Sequence, residues 1–295
     1  MLIKKGSQGE IVKEIQIVLG INDDGIFGPN TEKYVKLWQT QNGLVPDGIV
    51  GPKTLNLMGL LETDNLSKDV HPNIQSTSGI KINKSYMNND EFFSGSNPSY
   101  IFLHHTAGWH NPYNQVQIWD LDTRGQIGTE FVIGGQSIKG NNFNSDGVIV
   151  QAFPHKSWAW HLGIGRTDIH KNSVGIELCN FGWVVDGKTW ESSHVDESQI
   201  VELKERFRGY KYWHRYTNKQ INTLKDLLLF IANRDNINLR EGLPTWIRSS
   251  GAKAFEYSHG ARRGLVRGLL SHSNVRKDKF DIFPQPEIMD MLMDL

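Results

Sequence analysis

Two segments of the sequence contain the residue types that hold a catalytic metal ion. His104 and His105 follow the apolar run "YIFL", and close to the C-terminus His272 precedes Asp281 by nine positions. Catalytic zinc takes three protein ligands from His, Asp, Glu or Cys and leaves one position for water, and two histidines with one carboxylate are a common set. Taken alone, the charged stretch "NVRKDKFD" indicates a solvated loop, so the metal interpretation depends on the fold bringing both segments together.

Two charged residues beside these segments have types that assist hydrolysis. Glu177 lies in the strand-like "SVGIELCN", where an acid is costly to bury unless it has a partner or a function. Near a metal it can act as a general base, and the alternative is a strand glutamate paired with a lysine. Lys279 lies two residues before Asp281, so both point the same way in an extended chain. Its ammonium can stabilise an oxyanion, and the alternative is an exposed lysine.

The segments around these residues predict an α/β domain. A helix is predicted over 218–236, with Thr217 or Asn218 as its cap. Strand-like runs are "SYIFLHH", "TEFVIGG", "GVIVQAF" and "SVGIELCN". We therefore predict a mixed β-sheet flanked by helices, with a site at its strand ends. Because adjacent strand residues point to opposite faces, one of His104 and His105 can face this site, and the sequence leaves open which one.

The first 60 residues contain an internal repeat. "DGIFGPNT" begins at Asp24, and "DGIVGPKT" begins at Asp47. In each copy Asp-Gly forms a turn, and the following proline suits the first position of a helix. Apolar residues at helical spacing precede and separate the copies, in "GEIVKEIQIVLG" and "TEKYVKLWQTQNGL". The pattern predicts a small all-α unit of three helices.

The composition of the remaining chain suggests two parts. Residues 61–97 are polar and rich in turn formers, which predicts a linker, with "IKINKSYM" as a short strand within it. The helical domain is therefore predicted over residues 1–60 and the α/β domain over residues 98–295.

Four motifs, in this order, resemble a known enzyme family. "YIFLHHTA", "SWAWHLG", "SVGIELCN" and "SHSNVRKDKFDIFP" are together similar to the zinc-dependent N-acetylmuramoyl-L-alanine amidases of the type 2 class, kin to phage amidases and peptidoglycan recognition proteins. The resemblance covers about residues 98–290. The helical unit resembles the three-helix peptidoglycan-binding domain of cell-wall hydrolases. The stretch 181–268 is longer than in the simplest relatives, and its aromatic residues either contact substrate or pack over the sheet edge: Trp183, Trp190, Tyr212 and Trp213.

The resemblance implies a metal site and its neighbours. It makes one Zn²⁺ ion the cofactor, with His104, His272 and Asp281 as its ligands. His105 would then support these ligands or pack in the core. Six further histidines without a matching motif are assigned to surface or structural roles: His110, His155, His170, His194, His214 and His259.

The resemblance also implies the catalytic and substrate-binding residues. Glu177 becomes the catalytic base and Lys279 the partner of the oxyanion. His161 in "WAWHLG" is expected to line the substrate cleft together with Trp160 and Thr106. A histidine packed by its neighbouring tryptophans is an equal alternative for His161.

The implied reaction is hydrolysis of the amide bond that joins N-acetylmuramic acid to L-alanine in the stem peptide of peptidoglycan. The expected biological role is that of a phage endolysin. Two alternatives stay open: a non-catalytic peptidoglycan recognition protein, and a zinc endopeptidase that cuts within the stem peptide.

Composition narrows the partners and the place of action. The formal net charge is zero, which argues against broad electrostatic binding to nucleic acid or to anionic membranes. The single cysteine, Cys179, excludes an intrachain disulfide and is interpreted as a small buried hydrophobe. The opening "MLIKKGSQGEIVKEIQ" lacks the apolar core of a secretory signal, so we expect synthesis in the cytoplasm. We expect a monomer that acts on the bacterial cell wall and does not insert into membranes.

Overall fold

The computed structural model describes residues 2–19, 21, 23–41, 44–58, 60 and 80–295. These residues form two compact units. One contains the described residues among 1–73 together with Ser258–Val266, and the other contains those among 74–257 together with Arg267–Leu295. No helix in the described part of the chain has the length and apolar character needed to cross a membrane.

The elements are named here in chain order. The α-helices of the described residues are α1 (Glu10–Val18), α2 (Pro29–Gln41), α3 (Pro52–Met58), α4 (Pro112–Asp120), α5 (Thr167–Lys171), α6 (Asn218–Asp235), α7 (Leu243–Ser250), α8 (His259–Arg262), α9 (His272–Val275) and α10 (Pro286–Met293). Short 3-10 helices span Glu197–Gln199 and Gly251–Phe255. The strands are β1 (Ile82–Lys84), β2 (Phe93–Ser94), β3 (Tyr100–His105), β4 (Phe131–Ile133), β5 (Ile149–Gln151), β6 (Ser157–Trp158), β7 (Ser173–Leu178), β8 (Trp183–Val184), β9 (Ile200–Phe207), β10 (Tyr210–His214) and β11 (Gly268–Ser271).

The first Asp-Gly turn is held by a buried glutamine of α1. Gln16 donates from Nε2 to Asp24 Oδ1 at 2.8 Å and to the Ile26 carbonyl at 3.0 Å. Its Oε1 accepts the Gly25 N–H at 2.8 Å. Gly25 has φ +75°, a conformation that side chains rarely adopt, which explains the glycine of the motif.

The second turn repeats this arrangement on α2. Gln39 donates from Nε2 to Asp47 Oδ1 at 2.8 Å and to the Ile49 carbonyl at 3.0 Å. Its Oε1 accepts the Gly48 N–H at 2.9 Å, and Gly48 has φ +76°. The repeat of the sequence is therefore a repeat of structure, and α1, α2 and α3 confirm the predicted all-α unit.

The larger unit is built on a six-stranded mixed sheet in the order β1-β5-β4-β7-β3-β11. The neighbouring strands β4, β7, β3 and β11 are parallel, whereas β4 and β5 are antiparallel. β3 is buried along its whole length, as its apolar run predicts. Thr217 caps α6, which buries Ile221, Leu224 and Leu228 in the same core as the sheet. The α/β class with a mixed sheet and flanking helices is confirmed.

Only the later part of the predicted linker, residues 61–97, lies among the described residues. Residues 61–79 lie outside the described residues. The later part contributes β1, within "IKINKSYM", to the six-stranded sheet, and β2 to a two-stranded sheet with β6. The boundaries at residues 60 and 97 stay predictions. Within the stretch 181–268, the strands β8, β10 and β9 form a separate three-stranded sheet.

Three parallel strands end at the edge of the sheet that carries the candidate site. β7, β3 and β11 are neighbours in the sheet and run in the same direction. His104 near the end of β3 pairs in register with Glu177 on β7. His272 directly follows β11 as the first residue of α9. The carboxyl ends of parallel strands are the usual position of active sites in such sheets.

Candidate metal and active site

Three buried side chains converge beyond the ends of β3 and β11. His104 Nδ1 lies 3.1 Å from His272 Nδ1 and 3.2 Å from Asp281 Oδ2. His272 Nδ1 lies 2.9 Å from the same oxygen. Among the described residues, this is the one group of His, Cys, Asp and Glu side chains whose atoms lie close enough together to hold a metal ion.

The separations fit a tetrahedral zinc site. Zinc–ligand distances of roughly 2.0–2.2 Å place two ligand atoms of a tetrahedron about 3.3 Å apart. The observed separations of 2.9, 3.1 and 3.2 Å are close to this value. Burial works against the charge of Asp281, but His272 and His104 hold the pKa of this carboxyl well below its ordinary value. The carboxylate is therefore ionised, as a metal ligand must be.

Hydrogen bonds outside the cluster set the tautomer of His104. The Ser173 hydroxyl donates to the His170 carbonyl at 3.0 Å, so its oxygen accepts from His161 Nε2 at 2.8 Å. This leaves His161 Nδ1 as the acceptor for the Nε2–H of His104, at 3.0 Å. The donor–acceptor pattern therefore places the proton of His104 on Nε2. Its Nδ1 lone pair faces His272 and Asp281.

A backbone carbonyl sets the tautomer of His272. His272 Nε2 lies 3.0 Å from the Leu162 carbonyl, which can only accept, so Nε2 carries a proton. Burial, followed by the charge of His272, lowers the pKa of His104 to about 4. His104 is thus neutral at neutral pH. The Nδ1 atoms of both rings face the same point beside Asp281, where a metal ion would take them as ligands in their unprotonated form.

Glu177 lies beside this cluster with an unpaired oxygen. Its Oε2 is buried and has no hydrogen-bond partner among the described residues. Burial and then the charge of Asp281 raise the pKa of Glu177 well above its ordinary value, whereas the nearby Lys279 ammonium lowers it. Lys279 is half-buried, and its charge also acts on His104. A carboxyl group and an ammonium therefore both lie within electrostatic range of the three convergent atoms.

A family model described as N-acetylmuramoyl-L-alanine amidase matches residues 94–279, well over half of the 295 residues. The chain belongs to this amidase family. The match includes His104, Glu177, His272 and Lys279, and it ends two residues before Asp281. A second model, described as a peptidoglycan binding domain, matches residues 8–58 of the helical unit.

Solved structures of other amidases and endolysins are similar to this amidase. With the endolysin N-acetylmuramoyl-L-alanine amidase LysCS from Clostridium intestinale URNW, the chain shares 17% identity over 72% of its length and 94% of that chain, at a TM-score of 0.41. With a mutant endolysin from Bacillus subtilis, the chain shares 17% identity over 59% of its length and 89% of that chain, at a TM-score of 0.35. AmiD from E. coli was solved with anhydro-N-acetylmuramic acid-L-Ala-D-gamma-Glu-L-Lys. The chain shares 22% identity with it over 50% of its own length and 48% of that chain, at a TM-score of 0.32. A comparison with curated proteins gives no match.

The structure distinguishes the two adjacent histidines of the amidase. His104 joins the cluster, and His105 points to the opposite face. His105 Nδ1 lies 2.9 Å from the Tyr216 hydroxyl, and its ring packs edge-on against Phe283. The alternation of a strand predicts this separation, and the contacts identify His105 as the core member of the pair.

The residues expected to bind substrate lie around the same strand ends. Thr106 Oγ1 accepts the Asn180 N–H at 3.2 Å and thereby links the ends of β3 and β7. Trp160 is half-buried and packs edge-on against His170, with 4.7 Å between ring centres. Both ring nitrogens of His161 are engaged within the protein, which favours an orienting role for this ring. Substrate contacts by Thr106, Trp160 and His161 stay predictions.

Sequence reasoning missed three residues that position His161. Ser173 accepts a hydrogen bond from its ring, and the His170 carbonyl orients Ser173. Gly175 makes room for Thr129 and for the ring, because a Cβ there would lie 2.6 Å from Thr129 Cγ2 and 3.1 Å from His161 Nδ1. Ser173, Gly175 and Glu177 alternate on one face of β7. The pattern Ser-x-Gly-x-Glu was therefore the signal available in the sequence.

Proposed function

We propose that this chain hydrolyses the amide bond between N-acetylmuramic acid and L-alanine of the peptidoglycan stem peptide, with one Zn²⁺ ion held by His104, His272 and Asp281. The observation that carries the proposal is the convergence of these three buried side chains, each within 3.2 Å of the others, beside Glu177. The family match supports the class of bond.

The chain prepares both histidine rings for a metal ion. His161 accepts from His104, and the Leu162 carbonyl accepts from His272, so the rings are oriented by partners outside the cluster. When bound, zinc supplies Lewis acidity that activates water and polarises a carbonyl group near neutral pH.

Glu177 transfers the proton, and Lys279 stabilises the charge that develops during the reaction. The Glu177 carboxylate accepts a proton from the attacking water as the new carbon–oxygen bond forms. It returns this proton to the nitrogen of L-alanine as the carbon–nitrogen bond breaks. A carboxyl pKa raised above its ordinary value suits a group that both accepts and donates near neutral pH. The Lys279 ammonium stabilises the negative charge that develops on the carbonyl oxygen.

The helical unit extends this chemistry to an insoluble polymer. Its match to a peptidoglycan binding domain supports a tethering role, because tethering raises the local concentration of the catalytic unit at the wall. We assign the whole chain the role of an endolysin. We expect a monomer, since all proposed ligands and the base come from one chain, and we expect no action on nucleic acid or within a membrane.

The products of wall digestion test the reaction. Purified sacculi treated with the chain should yield new muramic acid carboxyl ends and new N-terminal L-alanine, measured by mass spectrometry of the soluble fragments. A chelator should stop the release and Zn²⁺ should restore it. Cleavage between two amino acids would identify an endopeptidase instead, and wall binding without products would identify a recognition protein.

Two aspartates of one loop provide a matched pair of variants. Asp281→Asn should lose bound metal and activity together, because the amide is a poor replacement for an anionic ligand. Asp278 pairs with Arg276 at the surface, so Asp278→Asn should retain both. Equal metal content in the two variants would contradict the proposed ligand set.

A further inference from the structure

The hairpin formed by β9 and β10 contacts the loop that carries Lys279 and Asp281. Arg208, at the hairpin turn, donates from Nη1 to the Lys277 carbonyl at 2.6 Å and from Nη2 to the Ser273 carbonyl at 3.4 Å. Both carbonyls lie between His272 and Asp281 in the chain. One planar guanidinium therefore ties two points of this loop, a geometry that a point charge cannot reproduce.

The setting of Arg208 indicates that its side chain, not the turn, determines the residue type. The side chain is 14% exposed, and Nη2 also lies 3.4 Å from Glu256 Oε2. Arg208 has φ +51°, a left-handed conformation that favours glycine, asparagine or aspartate over a long side chain. The turn alone therefore does not favour arginine here, and the contacts of the side chain offset the cost of this backbone conformation.

Aromatic contacts from the same hairpin lie on both sides of Asp281. Tyr210 packs edge-on against Phe280, with ring centres 5.9 Å apart, and Trp213 stacks on Phe283 at 4.5 Å. Within the loop, the Ser273 N–H donates to the Asp281 carbonyl at 3.0 Å. The hairpin thus contacts the loop before, beside and after the aspartate.

We propose that Arg208 is a positioning residue and that one role of this hairpin is to brace the 273–281 loop, so that Asp281 and Lys279 keep their places beside His104. The stretch 181–268 thereby gains a function in the site besides any contact with substrate. The inference rests on the proposed metal site for its importance, but the brace itself can be measured without metal or substrate.

Amide hydrogen exchange in the full-length chain tests the brace directly. The Ser273 N–H donates to the Asp281 carbonyl and the Arg276 N–H to the His272 carbonyl. In Arg208→Gly both amides should exchange at least about tenfold faster, because the segment opens more readily once the charged hydrogen bonds to its carbonyls are lost. Arg206→Ala is the matched control, because Arg206 donates to Gly209 of the hairpin's own turn. Exchange in Arg208→Gly that equals the wild type would overturn the proposal, whatever the enzyme's activity.

Metal affinity separates positioning from general stability. Glycine suits the φ of the turn, which offsets part of the lost contacts, so the melting temperature of Arg208→Gly should change little, while Zn²⁺ affinity measured by calorimetry should fall about 10–100-fold. Arg208→Lys should recover part of the affinity, because an ammonium reaches one carbonyl at a time. Unchanged affinity in both variants would refute the link to the site. A wild-type chain that binds no Zn²⁺ would instead refute the proposed function and leave the exchange result intact.

Discussion

The glutamine-centred turns of the helical unit and the histidine cluster of the catalytic unit both bury polar side chains, but they find their partners over very different distances. Gln16 and Gln39 bond to residues eight to fifteen positions further along the chain. His104 meets His272, which follows it by 168 positions.

The two regions also differ in how completely their polar groups are paired. Each glutamine finds donors and acceptors of matching type in or next to its turn, so the arrangement depends on nearby residues and occurs twice in the unit. In the cluster, two ring nitrogens and a carboxylate face one another, an arrangement that a cation completes. The difference separates a feature that builds the fold from one that binds a ligand.

Glu177→Gln should strongly reduce the hydrolytic rate without changing the zinc content of the site. Activity should fall by about 10²–10⁴-fold, because glutamine has nearly the same shape but cannot accept the proton. Muropeptide release measures the rate, and metal analysis should find unchanged zinc. Full activity in this variant would remove Glu177 from the mechanism and leave the three ligands in place.

Acid should destabilise the catalytic unit through its buried neutral histidines. Burial, followed by the charges of His105 and His110, lowers the pKa of His214 from 6.5 to about 3. Between these values the unfolded chain binds the extra proton, so the stabilisation is complete above pH 6.5 and is lost as pH falls toward 3. Each such histidine contributes a slope of about 1.4 kcal/mol per pH unit.

Unfolding free energies measured across this pH range test the slope. His214→Gln should flatten it by about one proton. Residues 1–60 contain no histidine, so no histidine of the glutamine turns contributes to this slope. An unchanged slope in His214→Gln would contradict the assignment.

The hydrogen bonds that link His104 to His161 and His161 to Ser173 should affect zinc affinity more than they affect the stability of the fold. His161→Ala should weaken Zn²⁺ affinity about 10–100-fold, because His104 loses the partner that fixes its tautomer. Ser173→Ala should produce a smaller loss in the same direction. Nitrogen NMR shifts of His104 in the metal-free chain should show Nε2 protonated in the wild type and a mixture of tautomers in both variants.

The sequence predicts most of what depends on nearby residues. The run "YIFL" predicts a buried strand, the repeat predicts helix starts, and apolar spacing predicts α6. The hairpin of β9 and β10 escaped prediction, although "IVELKERF" alternates at its start, because its charged residues resemble those of a surface segment. The order of the strands in the sheet was not predicted either, because β3 pairs with strands that follow it by about 70 and 170 residues.

The candidate site likewise contains residues that the sequence predicted and contacts that it did not. Residue types and motifs indicated the three proposed ligands, Glu177 and Lys279, and strand alternation implied that His104 and His105 separate. The partners that orient these groups were not predictable from spacing. His161 needs Ser173 and the gap left by Gly175, and the ligand loop needs Arg208. These contacts depend on how distant elements pack.

Gln16→Leu and Gln39→Leu should test whether the turns are as self-contained as their geometry indicates. Each variant leaves a buried glycine N–H without its acceptor and removes the donor to an aspartate and to a carbonyl. The free energy of unfolding of the helical unit should therefore fall by about 1–3 kcal/mol per variant, and by similar amounts in the two copies. The exposed Gln8→Leu is the control. Hydrolysis of soluble muropeptides should not change, and a rate loss would show that the local motif and the long-range site are coupled.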